Sequence, residues 1–195
     1  MDTRLLFRKK LQQQRAKITL SEQKKASARI TQQLSQHPIF LQSQTIASYV
    51  AIRHEIDPSS LIQKAWQNKQ TCYLPILQGQ QLIFCIYQPH TLLKKNQFNI
   101  PEPPFSLEAC ITPKNIDLVL VPLVGFTEQG QRLGMGAGFY DRSFAFLLNP
   151  SKSARPFLLG LAYEWQKLDS FTEKNWDVPL NAVITEKQIY FCDAK

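Results

Sequence analysis

The chain has 195 residues, of which 44% are hydrophobic and 19% charged, the proportions of an ordinary globular protein rather than a low-complexity one. We expect one domain over residues 1–195, because a chain of this length can bury a core without metal or disulfide support. The net charge of +8 favours anionic partners, but it does not choose between nucleic acid, acidic membrane and small phosphorylated ligands.

The first predicted element is a basic helix over residues 3–17. Arg4 and Arg8 are four residues apart, which places both on one face of that helix. Like charges so placed repel one another unless an anion lies near them. The residues alone leave two interpretations open, a solvated basic face or an anion-binding face.

A second helix is predicted over residues 21–34, with Ser21 as its N-cap and Pro38 after its end. A buried strand follows over residues 45–50, and a helix over residues 58–68. Glu55 lies between them, at the carboxyl end of the strand, where open α/β sheets place their ligand sites. The alternative is an ordinary surface carboxylate.

Two strands over residues 71–76 and 81–87 flank a turn at Gly79, which predicts a hairpin. Downstream, prolines constrain residues 98–104 to an extended conformation. Phe98 opens that segment, and from the residues alone it is interpreted as a core aromatic.

Five of the seven glycines lie between residues 125 and 138. They follow a predicted strand at residues 118–121 and precede a predicted helix at residues 139–148 that Pro150 would stop. Strand, glycine loop and helix together favour an anion site made of backbone N–H groups. A Walker A loop is excluded because no Lys follows Gly138, and the glycine spacing fits the dinucleotide fingerprint poorly.

Charged residues flank this loop on both sides. Arg132 precedes it, and a guanidinium can hold phosphate oxygens in a bidentate fork. Asp141 follows it, and a carboxylate beside phosphate is typical of a site where Mg²⁺ bridges the two.

The last predicted strands cover residues 157–163 and 188–192. Asp177 lies between them, and from the residues alone it is interpreted as a turn carboxylate before Pro179. Alternating strands and helices indicate an α/β layered domain with a largely parallel sheet.

The cysteines are far apart and form no C-x-x-C pair, which argues against a zinc site or a redox dithiol. Cys72 and Cys85 lie in apolar strands and are expected to act as small hydrophobic side chains. The amino terminus has no apolar signal region and no apolar run is long enough for a bilayer, so a cytoplasmic location is expected.

The run G-F-T-E-Q-G-Q-R-L-G-M-G-A-G-F-Y-D-R, residues 125–142, resembles the signature of the 5-formyltetrahydrofolate cyclo-ligase family. Shorter resemblances follow in the family's order: R-L-L-F-R at residues 4–8, F-N-I-P at 98–101 and W-D-V-P-L-N at 176–181. Thr127 stands where the family usually has an acidic residue, and Met135 where it often has an aromatic or basic one. Trp176 and Asn181 replace its usual His and Asp.

The resemblance implies a three-layer α/β/α fold similar to the ribose-phosphate isomerase and CoA-transferase folds. It also implies Mg²⁺- and ATP-dependent cyclisation of 5-formyltetrahydrofolate to 5,10-methenyltetrahydrofolate, with or without polyglutamate on the substrate. We expect a monomer without nucleic-acid or membrane partners. Catalytic roles fall to Arg132 and Asp141, and metal binding to Asp141 and Asp177. The implied ATP-binding residues are Arg4, Arg8, Arg132, Leu133, Gly134, Met135, Gly136, Ala137, Gly138, Phe139 and Tyr140. The implied folate-binding residues are Val50, Glu55, Phe98, Met135, Phe139 and Tyr140.

Two rival functions fit parts of the sequence. The charge is compatible with a nucleic-acid-binding module, which would show steeply salt-dependent binding of DNA or RNA. The fold is compatible with a sugar-phosphate isomerase or a CoA transferase, and neither of these would require ATP.

Overall fold

The structure is a computed structural model that describes residues 3–149 and 155–192. Its α-helices are α1 (Thr3–Arg15), α2 (Leu20–Leu34), α3 (Pro38–Leu41), α4 (Ser59–Gln67) and α5 (Phe139–Phe144). Its strands are β1 (Thr45–Ala47), β2 (Thr71–Gln78), β3 (Gln81–Ile86), β4 (Lys94–Lys95), β5 (Pro101–Glu102), β6 (Cys110–Ile111), β7 (Leu118–Pro122), β8 (Gly125–Phe126), β9 (Arg132–Leu133), β10 (Phe157–Leu161), β11 (Ala182–Ile184) and β12 (Ile189–Phe191). Within these residues, no helix combines the length and the apolar character that crossing a bilayer requires.

An eight-stranded sheet in the order β12-β11-β10-β7-β1-β2-β3-β6 organises the fold. Its five central strands, from β11 to β2, are parallel, whereas β12, β3 and β6 pair antiparallel at the two edges. Residues 118–121 of β7 are fully buried, because both faces of the sheet are covered. A continuous apolar run is what such a strand requires, and the predicted mostly parallel sheet is confirmed.

Alternate side chains of the central strands enter two separate cores. Leu118 and Leu120 pack with α2, α3 and α4 on one face. Val119 and Val121 pack on the other face with Phe144 of α5. Helices therefore flank the sheet on both sides, and the expected three layers are present.

Local contacts set several element boundaries that differ from the predictions. Thr19, not Ser21, caps α2: its hydroxyl accepts a hydrogen bond from Glu22 N at 3.2 Å, and the Glu22 carboxylate accepts one from Thr19 N at 2.8 Å. Pro38 begins the short helix α3 and does not merely follow α2. The predicted helix over residues 139–148 is α5 followed by a 3₁₀ turn at Ala145–Leu148. Pro150 lies outside the described residues.

The glycine-rich stretch contains a hairpin that the sequence did not predict. Strands β8 and β9 pair antiparallel before the loop begins. A Cβ at Gly125 would lie 2.8 Å from a methyl of Leu11, and one at Gly130 would lie 2.5 Å from the Leu180 carbonyl oxygen. Close packing therefore requires these two glycines, and only the later ones, from Gly134 on, form the loop itself.

Two cysteines expected to be independent are joined. Cys85 of β3 forms a disulfide with Cys110 of β6, so the expectation for Cys85 is wrong. The two strands are neighbours at the sheet edge and pair these residues directly, which a 25-residue separation in sequence concealed. Cys72 is buried as expected, and burial raises the pKa of its thiol to about 12.

Candidate functional site

A cleft of about 610 Å³ opens at the carboxyl ends of the central strands. Val50 follows β1, and Leu123 follows β7, and both line it. The predicted strand over residues 45–50 ends at Ala47, so Val50 lies in the loop beyond the sheet. The cleft occupies the position where open α/β sheets bind their ligands.

The site residues expected from sequence converge on this cleft with one exception. Those that line it are Arg4, Arg8, Val50, Glu55, Phe98, Arg132, Gly134, Met135, Gly136, Ala137, Gly138, Phe139, Tyr140, Asp141 and Asp177. Residues far apart in the chain are thereby brought to one place.

Leu133 is the exception. Its side chain is fully buried and packs with Leu11, Val124 and Phe171, away from the cleft. The side chain joins the hairpin β8–β9 to α1, and it is not part of the cleft wall. Strand alternation explains the difference, because Arg132 and Leu133 point to opposite sides of β9.

The loop between β9 and α5 is shaped by glycine. Gly136 and Gly138 have φ angles of 110° and 70°, which L side chains rarely adopt. Guanidinium groups lie against the loop: a Cβ at Gly134 would be 2.8 Å from Arg132 Nη1, and one at Gly136 would be 3.6 Å from Arg8 Cζ. The loop is therefore a backbone cradle with cations beside it, which suits an anion.

Arg8 and Arg132 are each held in place by a hydrogen bond. Arg8 Nε donates to the Gly134 carbonyl oxygen at 2.8 Å. Arg132 Nη2 donates to Asp141 Oδ1 at 2.6 Å, and its guanidinium lies 5.5 Å from the centre of the Tyr140 ring. Burial raises the pKa of the Tyr140 phenol, so this ring stays neutral beside the cation. Both arginines are thus oriented before any ligand binds.

Two carboxylates, Asp141 and Asp177, line the same part of the cleft. Arg4 forms a salt bridge with Asp177, and Asp141 Oδ1 accepts a hydrogen bond from the backbone N–H of Val178 at 3.3 Å. The Asp141 side chain therefore contacts the residue next to Asp177.

These carboxylates fit a magnesium ion that is shared with phosphate. Mg²⁺ is usually bound by one or two carboxylates together with substrate phosphates and water. The described residues contain no cluster of three or more His, Cys, Asp or Glu side chains that could hold a metal ion without such help. Asp141 and Asp177 could complete the coordination of an ion that arrives with a polyphosphate.

Glu55 occupies the other end of the cleft and is 6% exposed. Its Oε1 lies 3.4 Å from Arg15 Nη1, and its Oε2 accepts a hydrogen bond from Ile52 N at 3.2 Å. Burial raises the pKa of the carboxyl, whereas the Arg15 guanidinium acts in the opposite direction. Arg53 and His54 before it have φ angles of 48° and 59°, and strained backbone of this kind is common at binding sites.

Aromatic rings form the wall between these two ends. Phe98 is 53% exposed, and its ring centre is 6.1 Å from that of Phe139 in an edge-to-face arrangement. Asn99 has a φ of 59°, so a turn presents Phe98, and the segment becomes extended only at β5. A flat heterocycle fits such a wall.

The arginines of α1 connect all parts of the cleft. Arg4, Arg8 and Arg15 lie on one stripe of the helix and contact Asp177, the glycine loop and Glu55 in turn. Arg15 also donates to the Leu123 carbonyl oxygen at 3.1 Å. Sequence reasoning missed Arg15, although its spacing of seven from Arg8 places it on the same face.

Other cleft residues were also missed. Tyr49 lines the cleft and donates its hydroxyl to the Ile56 carbonyl oxygen at 2.6 Å. Lys174 and Trp176 line the end near Asp177. A single aromatic residue or lysine in a loop belongs to no sequence pattern that predicts a binding site. For Trp176 the one available signal was that it replaces the usual histidine of the motif.

The comparisons with known proteins agree with this geometry. The model of the 5-formyltetrahydrofolate cyclo-ligase family matches residues 1–186. The chain belongs to this family. The 5-formyltetrahydrofolate cyclo-ligase of Haemophilus influenzae is 36% identical over 177 residues, covering 89% of this chain and 92% of that protein. That of Escherichia coli K12 is 30% identical over 183 residues, covering 92% and 98%.

Solved structures show the same fold. The 5,10-methenyltetrahydrofolate synthetase of Aquifex aeolicus superposes with a TM-score of 0.83 at 27% identity, covering 98% of this chain and 94% of that one. The enzyme of that name from Mycoplasma pneumoniae gives 0.72 at 26% identity, covering 94% and 99%.

Two departures from the cyclo-ligase motif have structural roles in this chain. The Thr127 hydroxyl accepts a hydrogen bond from Gln131 N at 3.3 Å and lies within the turn of the β8–β9 hairpin. Asn181 Oδ1 accepts from Leu158 N at 2.7 Å, which ties the start of β11 to β10. Neither of these two residues lines the cleft.

Proposed function

We propose that this cyclo-ligase family member uses MgATP to close 5-formyltetrahydrofolate into 5,10-methenyltetrahydrofolate, with release of ADP and phosphate. One observation carries the proposal: the glycine cradle with its two arginines and the buried Glu55 open into the same cleft. A phosphate donor and a pterin can therefore meet in one cavity, as the reaction requires.

The chemistry explains why a phosphate donor is needed. N10 must attack the formyl carbon on N5, and the formyl oxygen must leave, but hydroxide is a poor leaving group. Transfer of the γ-phosphoryl group to that oxygen gives an iminium phosphate and ADP. N10 then adds to the carbon and loses its proton, and the C–O bond breaks to release phosphate.

The protein's task is positioning and charge stabilisation. Arg8 and Arg132 are placed to hold the phosphates against the N–H groups of the glycine loop. Arg132 also lies beside Asp141. Its guanidinium is placed to stabilise the negative charge on the γ-phosphoryl group during transfer. Magnesium held by Asp141 and Asp177 would neutralise phosphate charge and align the triphosphate.

The folate end of the cleft supplies complementary groups. A pterin presents an amino group and a ring N–H on one edge, and the Glu55 carboxylate can accept from both. The rings of Phe98, Phe139 and Tyr140 cover the flat faces. Burial raises the pKa of the Glu55 carboxyl, and the Arg15 guanidinium opposes that rise, which favours the ionised form that can accept both hydrogen bonds.

We propose that the protein acts as a monomer, since residues of one chain line the cleft on all of its described sides. We also propose a cytoplasmic location and no nucleic-acid or membrane partners. Its excess positive charge then serves two anionic substrates, a nucleotide and a folate that carries carboxylates.

A turnover assay tests the proposal. Purified protein is mixed with MgATP and 5-formyltetrahydrofolate, and methenyl absorbance and released phosphate are recorded in the same reaction. We expect equal amounts of both, and neither when ATP is omitted or Mg²⁺ is chelated. Methenyl formation without ATP, or ATP hydrolysis that does not depend on the folate, would contradict it.

A further inference from the structure

Trp176 presents a large aromatic surface at the rim of the cleft. Its side chain lines the cleft and is 65% exposed. The ammonium of Lys174 lies 6.0 Å from the centre of its ring, so a cation is placed next to an exposed π-face. An indole in this position can stack against a flat ligand.

The turn that carries Trp176 belongs to the phosphate end of the cleft. Asp177 forms the salt bridge with Arg4, and Val178 N donates to the Asp141 carboxylate. Asp177 also accepts a hydrogen bond from Lys174 N at 2.8 Å, which closes the turn around residues 174–177. These contacts hold the backbone of Trp176 next to Asp177 and close to the residue that binds the Asp141 carboxylate.

The folate end lies at the opposite end of α1. Arg4 marks the Trp176 end, and Arg15 marks the Glu55 end. Eleven residues separate them, which is about 16 Å along a helix axis. The turn that carries Trp176 and the carboxylate assigned to the pterin therefore contact arginines at opposite ends of α1.

The reaction itself fixes which part of ATP comes to the Trp176 end. The γ-phosphoryl group must touch the formyl oxygen, so the nucleobase lies on the far side of the triphosphate from the pterin. We propose that Trp176 is the stacking platform for the nucleobase of ATP. This inference rests on the proposed function and adds a base-binding site to it.

The test distinguishes the contribution of the nucleobase to binding from that of the phosphates. Mg²⁺ complexes of a non-hydrolysable ATP analogue and of tripolyphosphate are titrated by calorimetry into the wild type, Trp176→Ala and Trp176→Phe. Phe191→Ala is the matched control, because Phe191 is 58% exposed on the edge strand β12, outside the cleft. Tryptophan emission during the nucleotide titration gives a second readout that does not depend on turnover.

Loss of a base–aromatic stack by alanine substitution weakens binding by roughly 5- to 150-fold. We expect this loss for the nucleotide in Trp176→Ala, a smaller loss in Trp176→Phe, and no change in Phe191→Ala. Tripolyphosphate should bind all four proteins equally. The wild-type emission change caused by the nucleotide should be absent from tripolyphosphate titrations and from Trp176→Ala.

Three results would overturn the inference. One is unchanged nucleotide affinity in Trp176→Ala, and another is an equal loss for nucleotide and tripolyphosphate. The third is a rise in the Michaelis constant for 5-formyltetrahydrofolate with nucleotide affinity intact, which would assign the indole to the folate. A wild type that binds neither phosphate ligand would instead contradict the proposed function.

Discussion

Replacing Arg15 by Met tests whether the folate end of the cleft depends on a buried ion pair. Arg15 is 2% exposed and Glu55 6% exposed, with 3.4 Å between Nη1 and Oε1. Removing one partner of a buried pair leaves an uncompensated charge and costs about 3–5 kcal/mol. We expect a loss of this size in the free energy of unfolding at pH 7.5.

The loss should depend on pH. The pKa of Glu55 is raised above its ordinary value of 4.5 by burial, and Arg15 opposes that rise. Without Arg15 the pKa rises further, so the folded state binds a proton more readily than the unfolded state. Stability then falls as pH rises above 4.5 through the folded pKa, and Arg15→Met should be less destabilised at pH 5 than at pH 7.5.

Denaturant unfolding of a double-mutant cycle measures the coupling. Glu55→Gln removes the charge that Arg15 balances, so the double variant should be more stable than the sum of the single effects predicts. The coupling should fall within about 0.5–3 kcal/mol, the range for residues in direct contact. A pH-independent loss in Arg15→Met, together with additivity within about 0.5 kcal/mol, would refute the reasoning.

Three further substitutions test the phosphate end. Arg132→Ala should weaken ATP use by about 1.5–3 kcal/mol, the scale of a hydrogen bond to a charged group, and unchanged ATP kinetics would remove Arg132 from the site. Asp141→Asn should raise the Mg²⁺ concentration needed for half-maximal activity, and a metal titration equal to that of the wild type would exclude ligation. Gly136→Ala should weaken ATP binding, because a residue with a side chain is strained by about 1–3 kcal/mol at a φ of 110° and the loop would change shape. Normal ATP affinity in this variant would show that the loop shape is not needed.

Matched controls separate these effects from general damage. Gly79→Ala places a side chain at a φ of 60° in the β2–β3 turn, where nothing lies within 4 Å, so it should lower stability and spare ATP binding. Glu128→Gln removes an exposed carboxylate that pairs with Lys167 outside the cleft. Its Mg²⁺ dependence should equal that of the wild type.

The parts of the fold that follow from local pattern could be predicted. Residues 118–121 form a continuous apolar run, which is what a central parallel strand requires, and β7 is found there. The hairpin around Gly79 follows from its turn and flanking strands. These elements depend on residues near each other in the chain.

Features that depend on distant partners could not be predicted. Gly130 is needed because the Leu180 carbonyl lies against it, and the Cys85–Cys110 bond requires knowing that β6 pairs with β3. The cap of α2 was missed for a different reason, since Ser21 and Thr19 are both good caps. Only Thr19 has Glu22 three residues later to complete the reciprocal hydrogen bonds.

In the site, too, some residues could be predicted from local sequence, whereas others depend on distant partners. The glycine loop and Arg132 lie in one long motif, whereas Glu55 was found through its place after a buried strand. Arg15 could be recognised from sequence as a third arginine on the same face of α1. Its role, however, depends on Glu55, which is 40 positions away in the chain and becomes its neighbour only after folding.

The central claim is that the loop at residues 134–138 holds the triphosphate within the cavity that also holds the folate. The most direct measurement is a crystal structure with a non-hydrolysable ATP analogue, Mg²⁺ and 5-formyltetrahydrofolate. We predict phosphates between Arg8 and Arg132, with the γ-phosphate facing the formyl oxygen and the pterin at Glu55. Nucleotide bound outside the cleft, or a folate on the far side of the molecule from that loop, would contradict the account.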